Sequence, residues 1–228
     1  MKVLAGLMLV LASGCATTNG DERDPIEGFN RGVYRFNETF DDYVAKPVAT
    51  AYRKALHVEI RTRVGNFFAN VQDIFIGVNN FLQGKFEDGV NDWARFAFNS
   101  TFGIFGLHDF ASDAGLEKHN EDFGQTFGRW GAPPGPYLIL PFLGSSTVRD
   151  GAGTAVDWYA APLAEVRPIN LRNSLLALYL VNTRSELLEA SRILEEAALD
   201  KYVFQRDAYL QRRRSLIYDG SPPREKLE

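Results

Sequence analysis

The chain has 228 residues with 25 basic and 29 acidic side chains, a net charge of −4 and a pI near 5.5. This length suits one domain with a sizeable core, and the acidic balance argues against nucleic acid as the main partner, because phosphate binding needs clustered Lys and Arg. The single Cys excludes an internal disulfide, a Cys-based zinc site and an iron–sulfur cluster within one chain.

The first fourteen residues have the pattern of a secretory signal. Met1-Lys2 is a short positive start, residues 3–12 are apolar or small, and Ser13-Gly14 precede Cys15. Ala12 to Cys15 resembles a bacterial lipobox, in which the Cys is acylated and becomes the mature N-terminus. We predict a signal peptide at 1–14, lipidation at Cys15 and a polar tether at 15–23 that reaches roughly 30 Å. An ordinary signal peptide with an incidental Cys is the alternative.

Helical periodicity dominates the chain that follows. Asp24-Pro25 with Glu27 has the N-cap, first-turn proline and capping-box spacing that start a helix. Apolar residues at steps of three or four continue to Tyr43, and Pro47 is expected to kink or end this helix. Further helices are predicted at 59–82, 86–102, 145–158, 170–198 and 200–217, with Ser145 and Ser146 as N-cap residues of the third. The sequence predicts a mainly α, single helical domain at 24–217 and a short polar tail at 218–228.

A Gly/Pro-rich loop interrupts the helices. Residues 130–148 contain no charge, but their four Pro and three Gly forbid a regular membrane-spanning helix. An apolar loop of this kind either packs deep in the fold or lines a lipid-facing cavity. Residues 137–142 are expected to form at most one short extended stretch.

Catalytic and metal motifs are weak. His108 and His119 lie eleven apart among acidic residues, which matches no common metal-ligand spacing, so we predict no metal and no cofactor. Ser145 or Ser146 with one of these histidines is the one arrangement that suggests a lipid hydrolase. The cluster Arg212 to Arg214 is interpreted as a solvated helix end, with lipid headgroups as the alternative partner.

Aromatic side chains recur at helical spacing and have two interpretations. Such stripes usually form a core, but beside an acyl anchor they also suit a membrane interface. The candidate membrane-facing residues are Phe67, Phe68, Phe75, Phe81 and Trp93. The opposite face of the 59–82 helix carries the polar residues Asn66, Asn70, Gln72, Asp73, Asn79 and Asn80.

Five ordered blocks resemble the MlaA (VacJ) family of outer-membrane lipoproteins. They are DPIEGFNR at 24–31, RFNETFDDYVAKPVATAYR at 35–53, NNFLQGKFEDG at 79–89, RFAFNSTFGIFGLHDFAS at 95–112 and EDFGQTFGRWGAPPGPYLILPFLGSSTVRD at 121–150. The resemblance runs from about residue 24 to 162.

The resemblance implies a ring of amphipathic helices lying in the inner leaflet of the outer membrane around a channel. It implies removal of mislocalised phospholipids from the outer leaflet, delivery to a periplasmic lipid-carrier protein, association with a trimeric porin, no enzyme activity and no cofactor. The Gly- and Pro-containing segment 124–144 is a candidate gate of that channel, with Phe127, Pro133, Pro134, Gly135, Tyr137, Leu138 and Pro141 as the residues that shape it. An outer-membrane-anchored lipid hydrolase and a structural porin-associated lipoprotein remain the alternatives.

Overall fold

Helices make up most of the chain, as the periodicity predicts. The computed structural model describes residues 21–224, apart from the side chains of 194–197. The predicted signal peptide, Cys15, the start of the tether and the last four residues of the tail lie outside the described residues. The helices are α1 (Glu27–Phe40), α2 (Lys46–Ala55), α3 (Val58–Leu82), α4 (Phe86–Thr101), α5 (Phe110–Asp113), α6 (Phe123–Arg129), α7 (Val148–Ala160), α8 (Ile169–Ala197) and α9 (Lys201–Ile217). The strands β1 (Tyr137–Leu140) and β2 (Gly144–Thr147) lie between α6 and α7, and a 3-10 turn (Pro162–Glu165) follows α7.

Pro47 does not interrupt the first pair of helices. A π-helical turn (Asp41–Ala45) leads from α1 directly into α2, and Pro47 lies in the first turn of α2. In a regular helix the proline ring collides with the carbonyl four residues earlier. The wider π-helical turn gives the ring room, so the helical backbone does not end at Pro47.

Helices α3 and α4 form a hairpin that packs closely at two glycines. A Cβ on Gly77 would lie 2.5 Å from the Trp93 ring, and one on Gly89 would lie 2.8 Å from the Phe81 ring. Gly84 makes the turn between the helices with a φ of +80°, which confirms that it ends α3.

Helix α8 lies against α2 and α3 and is attached to the first helices through polar side chains. Arg184 donates two hydrogen bonds of 2.6 Å to Asp41 in the π-helical turn. The hydroxyl of Tyr52 donates to Asn182 at 2.9 Å. These bonds join the last third of the chain to its beginning.

Residues 137–147 form a β-hairpin that the sequence predicts only in part. Strands β1 and β2 are antiparallel, with Tyr137 opposite Thr147 and Leu140 opposite Gly144. The prediction that Ser145 and Ser146 cap a helix is wrong, because both lie in β2. The N-cap of α7 is Thr147, whose hydroxyl accepts a hydrogen bond from the Asp150 N–H at 3.2 Å.

The interior of the protein is unusually polar. Among the described residues, buried polar and charged side chains outnumber buried apolar ones, and Asn70, Asp73, Asn79 and Asn80 of α3 are among them. Most of the polar face of α3 therefore lies inside the protein, although Asn66 is half-buried and Gln72 is exposed. None of the described helices is both long and apolar enough to cross a membrane.

Apolar side chains cover much of the surface instead. Exposed Phe residues occur on α1, on α4 and its following turn, and at the hairpin tip, and they include Phe29, Phe36, Phe86, Phe102, Phe105 and Phe142. Further exposed aromatic residues lie on other elements, among them Trp158 and Tyr159 on α7. Of the candidate membrane-facing residues, Trp93 is exposed and Phe67, Phe75 and Phe81 are half-buried. The prediction for Phe68 is wrong, because its ring is 3% exposed and packs against Tyr179 of α8.

Asp24 does not cap α1, because tertiary contacts use its carboxylate. The helix begins at Glu27 without a side-chain cap. The buried Asp24 carboxylate accepts hydrogen bonds from Asn30 at 2.8 Å, from the Tyr202 hydroxyl, and from Arg206 at 3.4 Å. This cluster joins the start of α1 to α9.

The crossing of α6 and α7 supplies a stability prediction. A Cβ on Gly153 would lie 2.3 Å from the Gly124 nitrogen and 2.6 Å from its Cα, and backbone atoms cannot move away cheaply. Gly153→Ala is therefore expected to lower the free energy of unfolding by about 1–3 kcal/mol, measured by denaturation in detergent. Gly151→Ala, on the same helix, meets only an ordinary contact of 3.6 Å with Ser146 and is expected to be neutral or stabilising. Equal stability of the two variants would contradict the proposed crossing.

Candidate functional site

A cavity of about 710 Å³ lies between the loop 131–136, called here the Gly/Pro loop, and helix α9. Apolar residues from both sides line it: Ala132, Pro133, Pro134, Leu210 and Ile217. Its charged lining residues are Arg23, Arg149, Arg213, Arg214 and Asp207. The lining of the cavity thus combines apolar side chains with predominantly cationic ones, which suits an amphipathic ligand.

A second, more open cavity of about 500 Å³ lies near the turn between α8 and α9. Its main cation, Arg31, pairs with Glu27 at 2.6 Å and with Asp200 at 2.8 Å. Because this cavity is both smaller and more open to solvent, we take the cavity under the Gly/Pro loop as the candidate site.

The glycines of α6 make room for two arginines at the cavity wall. A Cβ on Gly124 would lie 2.2 Å from a terminal nitrogen of Arg213, and one on Gly128 would lie 3.1 Å from a terminal nitrogen of Arg149. These glycines are one helical turn apart and therefore lie on the same face of α6. This face brings guanidinium groups from α7 and α9 together.

Two carboxylates hold these arginines in place. Arg213 donates to both oxygens of Asp122, at 2.6 and 2.5 Å, and its Nε lies 3.1 Å from Asp150. The same Asp150 oxygen is 2.9 Å from Arg149, and the Tyr209 hydroxyl donates to the other oxygen at 2.7 Å. Burial acts to raise the pKa of Asp122, but the hydrogen bonds and charge of Arg213 outweigh it, so this pKa lies below its ordinary value.

The Gly/Pro loop is attached to the start of α7. The backbone N–H groups of Val148 and Arg149 donate to the carbonyls of Pro136 and Pro134 at 3.2 and 3.1 Å. Arg149 also reaches the Ala132 carbonyl through Nη1, at only 3.4 Å. The loop therefore has two backbone hydrogen bonds and one weak side-chain contact to α7. Its Gly131 and Ala132 N–H groups also donate to carbonyls of α6 at 3.0 and 2.9 Å.

Two asparagines of α1 pair with the outer edge of β1. Asn30 donates to the Tyr137 carbonyl at 3.0 Å and accepts from the Ile139 N–H at 2.9 Å. Asn37, two turns later, donates to the Leu140 carbonyl at 3.0 Å and accepts from the Phe142 N–H at 2.8 Å. The asparagine amides thus satisfy backbone groups that a neighbouring strand would otherwise pair with. The hairpin is held against α1.

The structure separates the seven candidate gate residues into two groups. Pro133, Pro134 and Gly135 line the cavity, as a gate would require. Phe127, Leu138 and Pro141 are not among the lining residues: Phe127 packs on Trp130, Leu138 is half-buried on β1 and Pro141 is exposed at the hairpin tip. Tyr137 is fully buried against Tyr202 and Tyr209, so its assignment to a gate surface is wrong.

The arrangement expected of a serine hydrolase is not assembled among the described residues. The Ser145 hydroxyl bonds to the Tyr137 hydroxyl and accepts from Gln205, each at 2.9 Å. His108 pairs with Asp113 and His119 with Asp92, each at 3.0 Å. No hydrogen bond within residues 21–224 connects these serines to a histidine, and that range contains no group of acidic, His and Cys residues placed to hold a metal ion.

Asp157 lies near the Asp122–Arg213 pair, and its pKa supplies a prediction for the pH dependence of stability. Burial raises its pKa from 3.8 to about 6, although the Phe123 N–H donates to the carboxylate at 3.2 Å. The Asp157 carboxyl therefore binds a proton more readily in the folded state than in the unfolded state. Its contribution to the stability of the protein rises as the pH falls from 7 towards 4. Asp157→Asn removes the buried charge and is expected to stabilise the protein at pH 7.5 by on the order of 1 kcal/mol, a value reduced for partial solvent exposure.

The measurement is the difference in unfolding free energy between the wild type and Asp157→Asn at pH 4.5, 6 and 7.5. This difference is expected to shrink as the pH falls. Glu22→Gln, at a solvent-exposed carboxylate, is expected to change stability by less than about 0.5 kcal/mol. A pH-independent difference for Asp157→Asn would contradict the raised pKa.

Sequence reasoning missed the residues that build the site. Arg149 had no assigned role, and Arg213 was interpreted as part of a solvated helix end, although its side chain is only 12% exposed. The glycine pair Gly124 and Gly128, at a spacing that marks close packing, was the available signal for their position. The seven-residue spacing of Asn30 and Asn37 placed both on one face of α1 in the same way.

Comparison with known proteins identifies a family whose members are similar to this chain. Residues 22–216 match the model of a family described as "MlaA lipoprotein". The chain is similar to the intermembrane phospholipid transport system lipoprotein MlaA of Escherichia coli K12, with 35% identity over 89% of this chain and 82% of that protein. It is also similar to the protein of the same name in Haemophilus influenzae, with 28% identity over 96% and 91% of the two chains.

A solved structure has a similar fold. It is reported under the words "Structural basis for maintenance of bacterial outer membrane lipid asymmetry", with a TM-score of 0.74 and 33% sequence identity. The similarity covers 85% of this chain and 98% of that one.

Proposed function

This chain belongs to the MlaA lipoprotein family, and from that premise we propose that it maintains the lipid asymmetry of an outer membrane. In this function it removes mislocalised phospholipids from the outer leaflet and passes them to a periplasmic carrier. The observation that carries the proposal is the amphipathic cavity, which lies in a protein with a polar interior and an apolar surface.

The distribution of side chains supports a position within one leaflet of the membrane. Exposed Phe residues at the hairpin tip and in the turn after α4 are suited to contact with acyl chains. Ile104 and Phe105 in that turn have positive φ values, and both side chains are exposed. Residues other than glycine rarely adopt this backbone conformation. Because it occurs here at two large, exposed apolar side chains, we infer that their exposure has a function.

The position of the N-terminal segment supports anchoring close to the cavity. The Arg23 carbonyl accepts a hydrogen bond from the Tyr137 N–H at 2.8 Å, and the Arg23 side chain lines the cavity. Arg23 lies eight positions after Cys15, and a chain of this length extends to about 30 Å at most. A lipid anchor on Cys15 would hold the cavity at the membrane surface.

In this proposal the Gly/Pro loop gates the cavity, and the carrier and a trimeric porin are the protein partners. Five of the six loop residues line the cavity, so displacement of the loop would open its wall. The protein acts by binding and releasing lipid, and its residues break no bond. The paired Ser145 hydroxyl supports this interpretation over lipid hydrolysis.

The test is lipid analysis of the full chain purified from native membranes, together with complementation of a strain that lacks its own copy. We expect phospholipid to copurify and SDS–EDTA resistance to return. Ser145→Ala with Ser146→Ala is expected to complement fully, and Cys15→Ala is expected to fail. A protein that holds no phospholipid and does not complement would favour a structural role, and loss of function in the serine variant would favour a hydrolase.

A further inference from the structure

We propose that Arg149 and Arg213 form a binding subsite for the phosphate group of a phospholipid headgroup. This inference rests on the proposed function and adds to it the residues that recognise the ligand. It concerns the part of the cavity lining that the start of α7 and helix α9 supply.

The cavity surface is cationic because the compensating carboxylates lie behind the arginines. Four arginines line the cavity, whereas Asp207 is the one carboxylate among its lining residues. Asp122 and Asp150 hold the two guanidinium groups from outside the lining. An anionic group that enters the cavity therefore meets the guanidinium charges first. Both terminal nitrogens of Arg213 already donate to Asp122, so Nη1 of Arg149 is the main donor to such a group.

The Arg149 side chain is 7% exposed, and short contacts fix only one edge of its guanidinium group. Its Nε and one terminal nitrogen point to Asp150 at 2.9 Å, while Nη1 makes only the 3.4 Å contact with the Ala132 carbonyl. A phosphate oxygen forms shorter and stronger charge-assisted bonds with guanidinium than a neutral carbonyl does. Phosphate binding would therefore displace the carbonyl and weaken the attachment of the loop.

The apolar surface of the cavity wall favours a lipid over a free phosphate ion. Ala132, Pro133 and Pro134 line the side of the loop, and Leu210 and Ile217 line the side of α9. A glycerol backbone and the first acyl carbons can bury their apolar surface there. Inorganic phosphate gains nothing from this wall, so the two ligands are expected to differ in affinity.

The experiment is calorimetric titration of the purified full chain in a neutral detergent. The probes are dihexanoylphosphatidylglycerol, dihexanoylglycerol without phosphate, and inorganic phosphate. We expect Arg149→Met to weaken binding of the phospholipid by about tenfold to a hundredfold, the range for a lost hydrogen bond to a charged group. Binding of dihexanoylglycerol is expected to be the same in both proteins, and wild-type affinity for inorganic phosphate is expected to be lower than for the phospholipid.

Arg192→Met is the matched control, because it removes an equal charge from an exposed pair with Glu189 on α8. It is expected to bind like the wild type. Circular dichroism establishes that each variant is folded; if Arg149→Met fails to fold, Arg149→Lys replaces it, with an expected smaller loss of affinity because lysine cannot donate two parallel bonds.

Each other outcome overturns a defined part of the proposal. Unchanged phospholipid affinity in Arg149→Met removes the subsite, while the proposed function stands if the wild type binds the lipid. An equal loss for dihexanoylglycerol assigns Arg149 a purely structural role. Inorganic phosphate binding as tight as the phospholipid would identify a site for free phosphate. A wild type that binds no phospholipid contradicts the proposed function itself.

Discussion

Replacement of Arg95 by methionine is expected to lower the free energy of unfolding by about 3–5 kcal/mol, the cost of leaving buried partners uncompensated. The Arg95 side chain is 2% exposed and donates to both oxygens of Asp109 at 2.9 Å and to the Leu116 carbonyl at 2.6 Å. It also lies 3.7 Å from the buried carboxylate of Asp73. This single side chain therefore attaches the segment around α5 to the α3–α4 hairpin.

Asp73 makes the loss larger. Burial raises its pKa even though Lys118 and Arg95 favour the charged form. Without Arg95, the carboxylate keeps Lys118 as its cation, and its burial becomes more costly. The measurement is chemical denaturation in detergent, with Arg192→Met as a control that is expected to change stability by less than about 0.5 kcal/mol. A loss below 1 kcal/mol for Arg95→Met would mean that water reaches and solvates this cluster.

A disulfide between positions 135 and 148 is expected to stop lipid transfer. A Cβ on Gly135 would lie 3.2 Å from the Val148 Cβ, slightly closer than the usual disulfide separation of about 3.8 Å. Gly135→Cys with Val148→Cys would therefore bond the Gly/Pro loop to the start of α7 after a small shift. If the loop must leave the cavity for lipid to pass, the oxidised protein should transfer phospholipid to the carrier at least about tenfold more slowly.

The reduced form of the same variant is the principal control for the disulfide. Gly135 has a φ of +66°, which strains any side chain placed there. Gly135→Ala alone measures this strain, and we expect it to retain transfer. Recovery of transfer on reduction would assign the loss to the disulfide. Full activity of the oxidised variant would show that transfer needs no movement of this loop, and the gate would have to be sought elsewhere.

The long helices follow from the sequence because their signals are local. The helices predicted at 59–82, 86–102, 170–198 and 200–217 are each observed within one residue at both ends. Asp200, the first residue of the last predicted helix, is the N-cap and accepts the Val203 N–H. Apolar spacing and end signals act over a few residues, so they can be interpreted without knowledge of the rest of the fold.

The errors occur where a residue with a good local role has a better partner far along the chain. Asp24 has the right position for a helix cap, but its carboxylate is bonded to Tyr202, 178 residues away. Arg213 has the right position for a solvated helix end, but it pairs with Asp122. The apolar stripe that contains Phe68 would suit either the protein core or a membrane interface. Phe68 lies in the core because its ring packs against Tyr179 of α8.

The sequence by itself therefore determined the long helices at 59–82, 86–102, 170–198 and 200–217, the family and the break at the Gly/Pro loop. Only the tertiary structure decided that polar side chains fill much of the interior and that two arginines meet on the glycine face of α6. The reason is physical. A helix is specified by neighbours three or four residues apart, whereas a buried charge is stabilised by whichever opposite charge the packed chain brings to it. Arg213 and Asp122 are 91 residues apart, and no local pattern connects them.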